Sequence, residues 1–446
     1  MAKRLFGTDG IRGVAGEPPL DPLTITALGI ALADDLKKHG RGDKPVLVGM
    51  DTRESGPGIV ACLADGLAQR GVSVRFAGVV TTPGVAWLTR TGDFAAGIMI
   101  SASHNPFGDN GIKVFSRSGF KLPDAEEHEI EEEIFRLLPV IQVAAAPAPV
   151  EVTCSVRPYL DFLLSTLRGS LNGLKIVLDC GNGAASALAP ELFREAGAEV
   201  IAINAEPNGR NINLNCGALH LEQLQAKVLE TKADAGVAFD GDADRALMVA
   251  ASGRIVDGDA IMLIAARRLQ QDGHLPGNVL VSTVMSNLGL EKALERAGIA
   301  MLRTPVGDKY VLEEMLRRNA PLGGEQSGHI IFSEYATTGD GMLTGLKVLE
   351  TCALGQAGLD ELAADLKVFP QLLVNVRVKE RKPLDQLPGV QREIAACEAE
   401  LGGFGRVLVR FSGTEPLLRV MVEGAEQTRI EALVARIVAA IRAELG

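Results

Sequence analysis

Aromatic side chains are scarce in this chain of 446 residues: one Trp, three Tyr and 14 Phe, 4% of the whole. That leaves no stacking platform for nucleic-acid bases. Basic charge is also in deficit. Lys and Arg number 45 against 56 Asp and Glu, a formal net charge of −11, which speaks against non-specific binding to nucleic acid or to an anionic membrane surface. Long apolar runs are missing too. No stretch of 18 apolar residues offers a membrane span, and the opening Met-Ala-Lys-Arg-Leu-Phe-Gly has no signal-peptide core. Cysteines are few and scattered, at Cys62, Cys154, Cys180, Cys216, Cys352 and Cys397. Without a Cys-x-x-Cys pair there is neither a zinc knuckle nor a redox motif. Such sparse thiols fit a soluble, cytoplasmic protein.

What the chain does have is a threefold repeat. Pro45–Gly49, Lys175–Asp179 and Asn278–Ser282 are short runs rich in branched residues. Each is followed by an amphipathic stretch (Asp51 to Arg70 in the first repeat), a glycine (Gly71, Gly197, Gly298) and a second apolar run. This is the pattern of a βαβ unit, with the glycine ending the helix. A third strand-like segment then leads into the densest polar motif of each repeat: Ser101-Ala102-Ser103-His104-Asn105-Pro106, Asp240-Gly241-Asp242-Ala243-Asp244-Arg245, and Glu325-Gln326-Ser327-Gly328-His329. Open α/β sheets bind ligands beyond the carboxyl ends of their strands, so the three motifs are expected to face one cleft. Val140–Val150 reads as an Ala/Pro-rich linker, and the pattern changes near Phe369-Pro370 to alternating strands and two helices. The expected fold is α/β: three similar mixed α/β domains over 1–140, 151–255 and 256–369, and a smaller α+β domain over 370–446, around a central cleft.

Asp240, Asp242 and Asp244 alternate in sequence, which turns three carboxylates toward one point. Like charges packed so closely call for a cation. Arg245 and Ala251 stand where a calcium-binding EF-hand loop needs Gly and Glu, so Mg²⁺ fits better. A solvated acidic turn is the alternative. Ser103 could carry phosphate beside that cation, against the plainer reading of a Ser-rich turn. Lys113 offers a cation for phosphate or proton transfer. Glu325, Ser327 and His329 form the kind of set that hydrogen-bonds sugar hydroxyls, with His329 a candidate acid/base. Arg410-Phe411-Ser412-Gly413-Thr414-Glu415-Pro416, with Arg419, suits a phosphate but lacks nucleotide P-loop spacing. Arg12 sits in a Gly-rich stretch, Phe6 to Gly13. Thr338–Gly341 reads as a helix cap without a catalytic role.

In this order the motifs resemble the α-D-phosphohexomutase family, over essentially the whole chain. Phe6–Gly13 and Gly324–His329 point to its amino-sugar branch; members acting on mannose or glucose phosphates more often have Met where Gln326 stands. The resemblance implies that Ser103 is a phosphoserine and, with Asp240, Asp242 and Asp244, a ligand of one Mg²⁺ per subunit. It implies that Glu325 and Ser327 read sugar hydroxyls, and that Arg410, Ser412, Gly413, Thr414 and Arg419, with Arg12, hold the substrate. Lys113 and His329 would move protons, and Arg245 would help stabilise the transferring group. The implied reaction interconverts glucosamine 6-phosphate and glucosamine 1-phosphate, on the route to UDP-N-acetylglucosamine and the cell wall. Its intermediate is glucosamine 1,6-bisphosphate or a similar hexose bisphosphate. The expected partner is a small hexosamine phosphate, and a homodimer is possible. Lys309 departs from the family, where Arg is expected. Activity on other hexose phosphates, a Mg²⁺-dependent sugar phosphatase and a non-catalytic sugar-phosphate sensor remain as alternatives.

Overall fold

The computed structural model describes residues 5–7, 9–143, 147–411 and 417–446. Residues 1–285 with 299–364 form one compact unit, and 286–298 with 365–446 a second.

The first unit holds three sheets with a common plan. Sheet one comprises β1 Phe6–Gly7, β2 Gly10–Val14, β3 Val46–Met50, β4 Val74–Val79, β5 Ala96–Ile100 and β6 Asp109–Ser116, in the order β1-β2-β6-β5-β3-β4. Sheet two comprises β7 Lys175–Asp179, β8 Glu199–Ile203, β9 Ala235–Phe239, β10 Ala246–Ala250 and β11 Ile255–Val256, ordered β11-β10-β9-β7-β8. Sheet three comprises β12 Val279–Thr283, β13 Ala300–Thr304, β14 Leu322–Gly324 and β15 Ile330–Phe332, ordered β13-β12-β14-β15. In each, the first strand of the repeat (β3, β7 or β12) lies between two parallel neighbours, and the polar motif turns the chain into an antiparallel return strand. The polar motifs therefore all leave the carboxyl ends of inner strands. β5 and β9 are buried along their whole length, as strands covered on both faces should be. The three repeat glycines, Gly71, Gly197 and Gly298, have φ of 71°, 103° and 70°, a left-handed helix stop that side chains resist.

One expectation is corrected. The segment from Asp51 is a loop, and its helix begins only at Gly56 and ends at Ala68. Gly66 in this helix meets Gly29 of the helix Pro22–Lys38 so closely that a Cβ on Gly66 would lie 2.3 Å from the Thr26 carbonyl oxygen.

In the second unit, β16 Gln371–Arg377, β17 Gly405–Phe411 and β18 Leu417–Gly424 form an antiparallel sheet ordered β16-β18-β17. Ile430, Val434, Ile437 and Ile441 recur at helical spacing along Gln427–Leu445 and pack with Leu418, Val420 and Val422. The helix Leu288–Arg296 belongs to this unit. Buried Glu423 accepts the Leu288 N–H (3.0 Å) and the Arg406 Nε–H (2.5 Å).

Candidate active site

Ser103 follows β5 and is buried. Its φ is 52°, a left-handed conformation costing a non-glycine residue roughly 1–2 kcal/mol. The loop supplies what holds it there. The Ser103 N–H donates to Ser101 Oγ (2.9 Å), which donates to Asp51 Oδ2 (2.7 Å). Ser103 Oγ in turn donates to Asp240 Oδ2 (2.6 Å), so the first and second motifs meet.

Asp240, Asp242 and Asp244 are all buried, and one oxygen of each lies within 4.8 Å of the others. Backbone groups hold their loop. The carbonyls of Gly241, Asp242 and Ala243 accept N–H bonds from Ala184 (2.8 Å), Thr82 (3.0 Å) and Gly341 (2.9 Å). These donors sit at the N-termini of three helices, Ala185–Glu195, Thr82–Thr91 and Gly341–Gly355. Three positive helix ends thus offset three negative side chains. Asp340 caps the last of these helices, as expected, accepting from the Leu343 N–H.

Lys113 on β6 supplies the compensating charge. Its Nζ lies 2.9 Å from Asp242, 3.3 Å from Asp244 and 3.1 Å from Asp9. Burial pulls its pKa down, but these carboxylates outweigh burial and hold it well above the ordinary lysine value. Among the described residues, no side-chain cation forms an ion pair with Asp240. Burial and the charges of Asp244 and Asp242 push its pKa well up. Among the described residues, Asp242 Oδ1 and Asp244 Oδ1 are buried without a hydrogen-bond partner. All-oxygen donors, orphaned and converging, fit a hard divalent cation such as Mg²⁺.

A cleft of about 430 Å³ opens beside this cluster. Asp9, Arg12, His104, Arg245, Glu325 and His329 are among the residues that line it, so the third motif joins the other two. Among the described residues, the buried Nε of Arg12 and of Arg245 has no hydrogen-bond partner, and Arg245 Nε lies 3.8 Å from Asp244 Oδ1; both side chains bring positive charge to the cleft. Glu325 accepts from the Gly307 N–H (3.2 Å), and Ser327 Oγ lies 3.4 Å from Glu325 Oε2. Lys121 bridges Asp9 and Asp308 at 2.6 Å each, tying sheet one to the helix after β13. His329 is buried, and its Nε2 accepts the Gly339 N–H at 3.0 Å. Burial lowers its pKa, but the carboxylates of Asp244, Asp308 and Glu325 more than offset this, for a net upward shift. A second proton on Nε2 would displace the Gly339 bond. The neutral ring with its proton on Nδ1, 3.7 Å from Asp244 Oδ1, is the form this hydrogen bond holds.

In the second unit, Arg410 on β17 stands directly opposite Arg419 on β18. Burial and the Arg419 charge depress the Arg410 pKa, and among the described residues the buried Arg419 Nε has no hydrogen-bond partner. Like charges paired across a sheet are destabilising unless an anion joins them. Ser412, Gly413 and Thr414 lie outside the described residues.

Sequence reasoning missed Arg53, Asn213, Asp9, Lys121 and Asp308. Asp51-Thr52-Arg53 leaves the carboxyl end of β3, so the strand-end rule that found the other motifs applied to it as well. Lys309 turns to Asp124 (2.5 Å) at the surface.

Models of all four domains of phosphoglucomutase/phosphomannomutase match the chain: domain I over 3–139, domain II over 157–253, domain III over 257–369 and the C-terminal domain over 373–440. The chain belongs to the phosphoglucomutase/phosphomannomutase family. It is therefore an enzyme of the isomerase class, a phosphohexomutase. Curated members of the family match it from end to end. A phosphoglucosamine mutase of Solibacter usitatus is 60% identical, covering 100% of both chains, and one of Koribacter versatilis is 50% identical, covering 100% of this chain and 98% of the relative. Among solved structures, a phosphoglucomutase/phosphomannomutase family protein of Burkholderia thailandensis superposes with a TM-score of 0.81 at 25% identity, covering 98% of this chain and 97% of that one. The fold is shared with Aspergillus fumigatus N-acetylphosphoglucosamine mutase, solved with GlcNAc-6P and magnesium (TM-score 0.70, 20% identity, 99% and 96% covered). No described helix is long and apolar enough to cross a membrane.

Proposed function

We propose that the chain interconverts glucosamine 6-phosphate and glucosamine 1-phosphate through a phosphoryl group carried on Ser103. One observation supports this above others: the Ser103 hydroxyl, 2.6 Å from Asp240, lies in a buried cluster of three aspartates that Lys113 alone does not neutralise. A Mg²⁺ held by Asp240, Asp242, Asp244 and the phosphoserine would supply the charge that draws electron density from the phosphoryl oxygens. The chain's own residues do the rest. The phosphoryl group leaves Ser103 Oγ for a sugar hydroxyl, so the hydroxyl proton must leave and Ser103 must regain one. Lys113, held in its charged form, gives a proton to Ser103 Oγ as the phosphoryl group departs and then, as the neutral amine, takes the proton of the sugar hydroxyl, so the proton count closes. His329, with its proton on Nδ1 and its Nε2 engaged by the Gly339 N–H, serves as an orienting dipole in this state. Arg245 and Arg12 line the cleft and bring positive charge to where the charge of the transferring group develops. Glu325 and Ser327 receive sugar hydroxyls. Arg410 and Arg419 hold the phosphate that does not transfer.

The bisphosphate made in the first half-reaction turns round, and its other phosphoryl group returns to Ser103. A hexose bisphosphate therefore also serves to load the serine. The test combines intact-mass and phosphopeptide analysis of the purified protein with a coupled assay on glucosamine, glucose and mannose phosphates. The expected result is one phosphoryl group on Ser103 and the highest kcat/KM on the glucosamine substrate. Turnover by a protein that never carries phosphate at Ser103 would refute the mechanism, and net release of inorganic phosphate would favour a phosphatase.

A further inference from the structure

The Ser103 carbonyl oxygen accepts two hydrogen bonds, from Arg53 Nη2 (3.0 Å) and from Asn213 Nδ2 (2.9 Å). The donors come from different domains. Arg53 lies in the loop after β3 and is fully buried, paired through Nε with Asp51 Oδ2 at 2.8 Å. Its remaining N–H groups go to the carbonyls of Asn105 (2.9 Å), Pro106 and Asp109 (2.9 Å). One guanidinium thus gathers the serine loop from Ser103 to Asp109. Asn213 lies between β8 and the helix Glu222–Thr231. It also donates to the Asn105 carbonyl (3.2 Å), and its own N–H is fixed to the Gly181 carbonyl (2.8 Å). Gly241 of the aspartate loop makes room for this arrangement. A Cβ there would lie 2.4 Å from the Ser103 carbonyl oxygen and 2.9 Å from Asn213 Nδ2.

We propose that Asn213, acting with Arg53, is a positioning residue for phosphoryl transfer. Arg53 shapes the serine loop within its own domain. Asn213 ties that loop to the domain that carries the aspartates. Together they lock the peptide that follows Ser103, keep φ at its left-handed value and so aim Oγ at Asp240. With the Asn213 bond gone, the loop remains shaped by Arg53, but the distance from serine to aspartate is no longer set. This inference rests on Ser103 being the phosphoryl carrier.

The test uses the full chain and compares wild type with Asn213→Ala, the isosteric Asn213→Asp, Arg210→Ala and Ser103→Ala. Asn213→Asp keeps the shape of the side chain but presents an oxygen to the Ser103 carbonyl where an N–H stood. Arg210→Ala removes an exposed ion pair to Glu54 on the same loop and leaves the Ser103 bonds alone. Phosphorylation of Ser103 by glucose 1,6-bisphosphate is followed in a single turnover by intact mass, alongside steady-state kcat, KM and phosphate released to water. Both Asn213 variants are expected to slow loading of Ser103 and kcat by roughly 10- to 100-fold, the scale of an ångström's misplacement. KM should stay within about threefold of wild type, since a misplaced serine leaves sugar binding intact. Phosphate released per turnover should rise, because a loosely held phosphoserine is open to water. Arg210→Ala should match wild type. Loading of Ser103 at the wild-type rate in the folded Asn213→Asp protein overturns the positioning role. So does an equal loss in Arg210→Ala, which would make the effect one of general loop stability. A fully active Ser103→Ala protein would instead remove the carrier reading itself, and the two failures are thereby told apart.

Discussion

The serine loop after β5 and the aspartate loop after β9 both leave a buried five-residue strand. Both carry one non-glycine residue with positive φ, Ser103 at 52° and Ala243 at 53°. They are held in opposite ways. Side chains clamp the serine loop: Ser101, Asp51, Arg53 and Asn213. Main-chain N–H groups at three helix ends clamp the aspartate loop. A side-chain clamp can be removed by one substitution; a main-chain clamp cannot. The serine loop is accordingly the one whose geometry mutation can shift, whereas the aspartate loop is open to mutation mainly through its charge.

The largest expected effect is one of charge. Asp240→Asn should lower kcat by on the order of 10³-fold or more and abolish the heat of Mg²⁺ binding in calorimetry. Its melting temperature in chelator should not fall, because the substitution relieves repulsion from Asp242 and Asp244. A large drop would mean that Asp240 holds the loop itself, and would break the comparison. Next comes the buried pair of the serine clamp. Asp51→Asn leaves Arg53 charged and unpaired, at an expected cost of about 3–5 kcal/mol in denaturant unfolding. An effect below about 1 kcal/mol would show that the loop carbonyls suffice to hold Arg53.

A pH measurement sharpens the picture at one helix end. Burial, opposed by the Leu343 N–H and the Tyr159 hydroxyl, pushes the Asp340 carboxyl up to about 6 from its ordinary value of 3.8. A group raised in the folded state stabilises most below its unfolded pKa, and loses that contribution as pH rises through the folded value. Wild type should therefore lose stability relative to Asp340→Asn between about pH 4 and pH 7, by roughly 3 kcal/mol at most. A flat difference across that range would refute the shift. The smallest effect is expected at Thr82. Thr82→Ala deletes a hydroxyl bond to Asp242 Oδ2 (2.6 Å) but keeps the N–H bond to the Asp242 carbonyl. The expected cost is about 1 kcal/mol, with Mg²⁺ affinity within a few-fold of wild type.

The repeat was legible because each unit ends on a glycine and then delivers its polar residues at a strand end. The aspartate triplet was legible because its carboxylates alternate within five residues. The clamps were not. Arg53 and Asn213 are 160 positions apart, and no local pattern says that both meet the Ser103 carbonyl. Asp51–Ser55 was mistaken for the start of a helix because its polar residues resemble a first turn. Gln326, the residue that pointed to an amino-sugar substrate, donates to Asp257 at 3.2 Å and is not among the residues lining the cleft.

The three helix ends that meet on the aspartate loop also constrain how the enzyme can be rebuilt. Each helix comes from a different α/β repeat, and each covers a different carbonyl of one short loop. A chimera that exchanges a single repeat with a relative must therefore reproduce the height and tilt of a helix it does not contain, or leave one carbonyl bare. Grafts of the Glu325–His329 loop have no such obligation to all three repeats, so new substrate preferences are more readily built at that rim than at the junction.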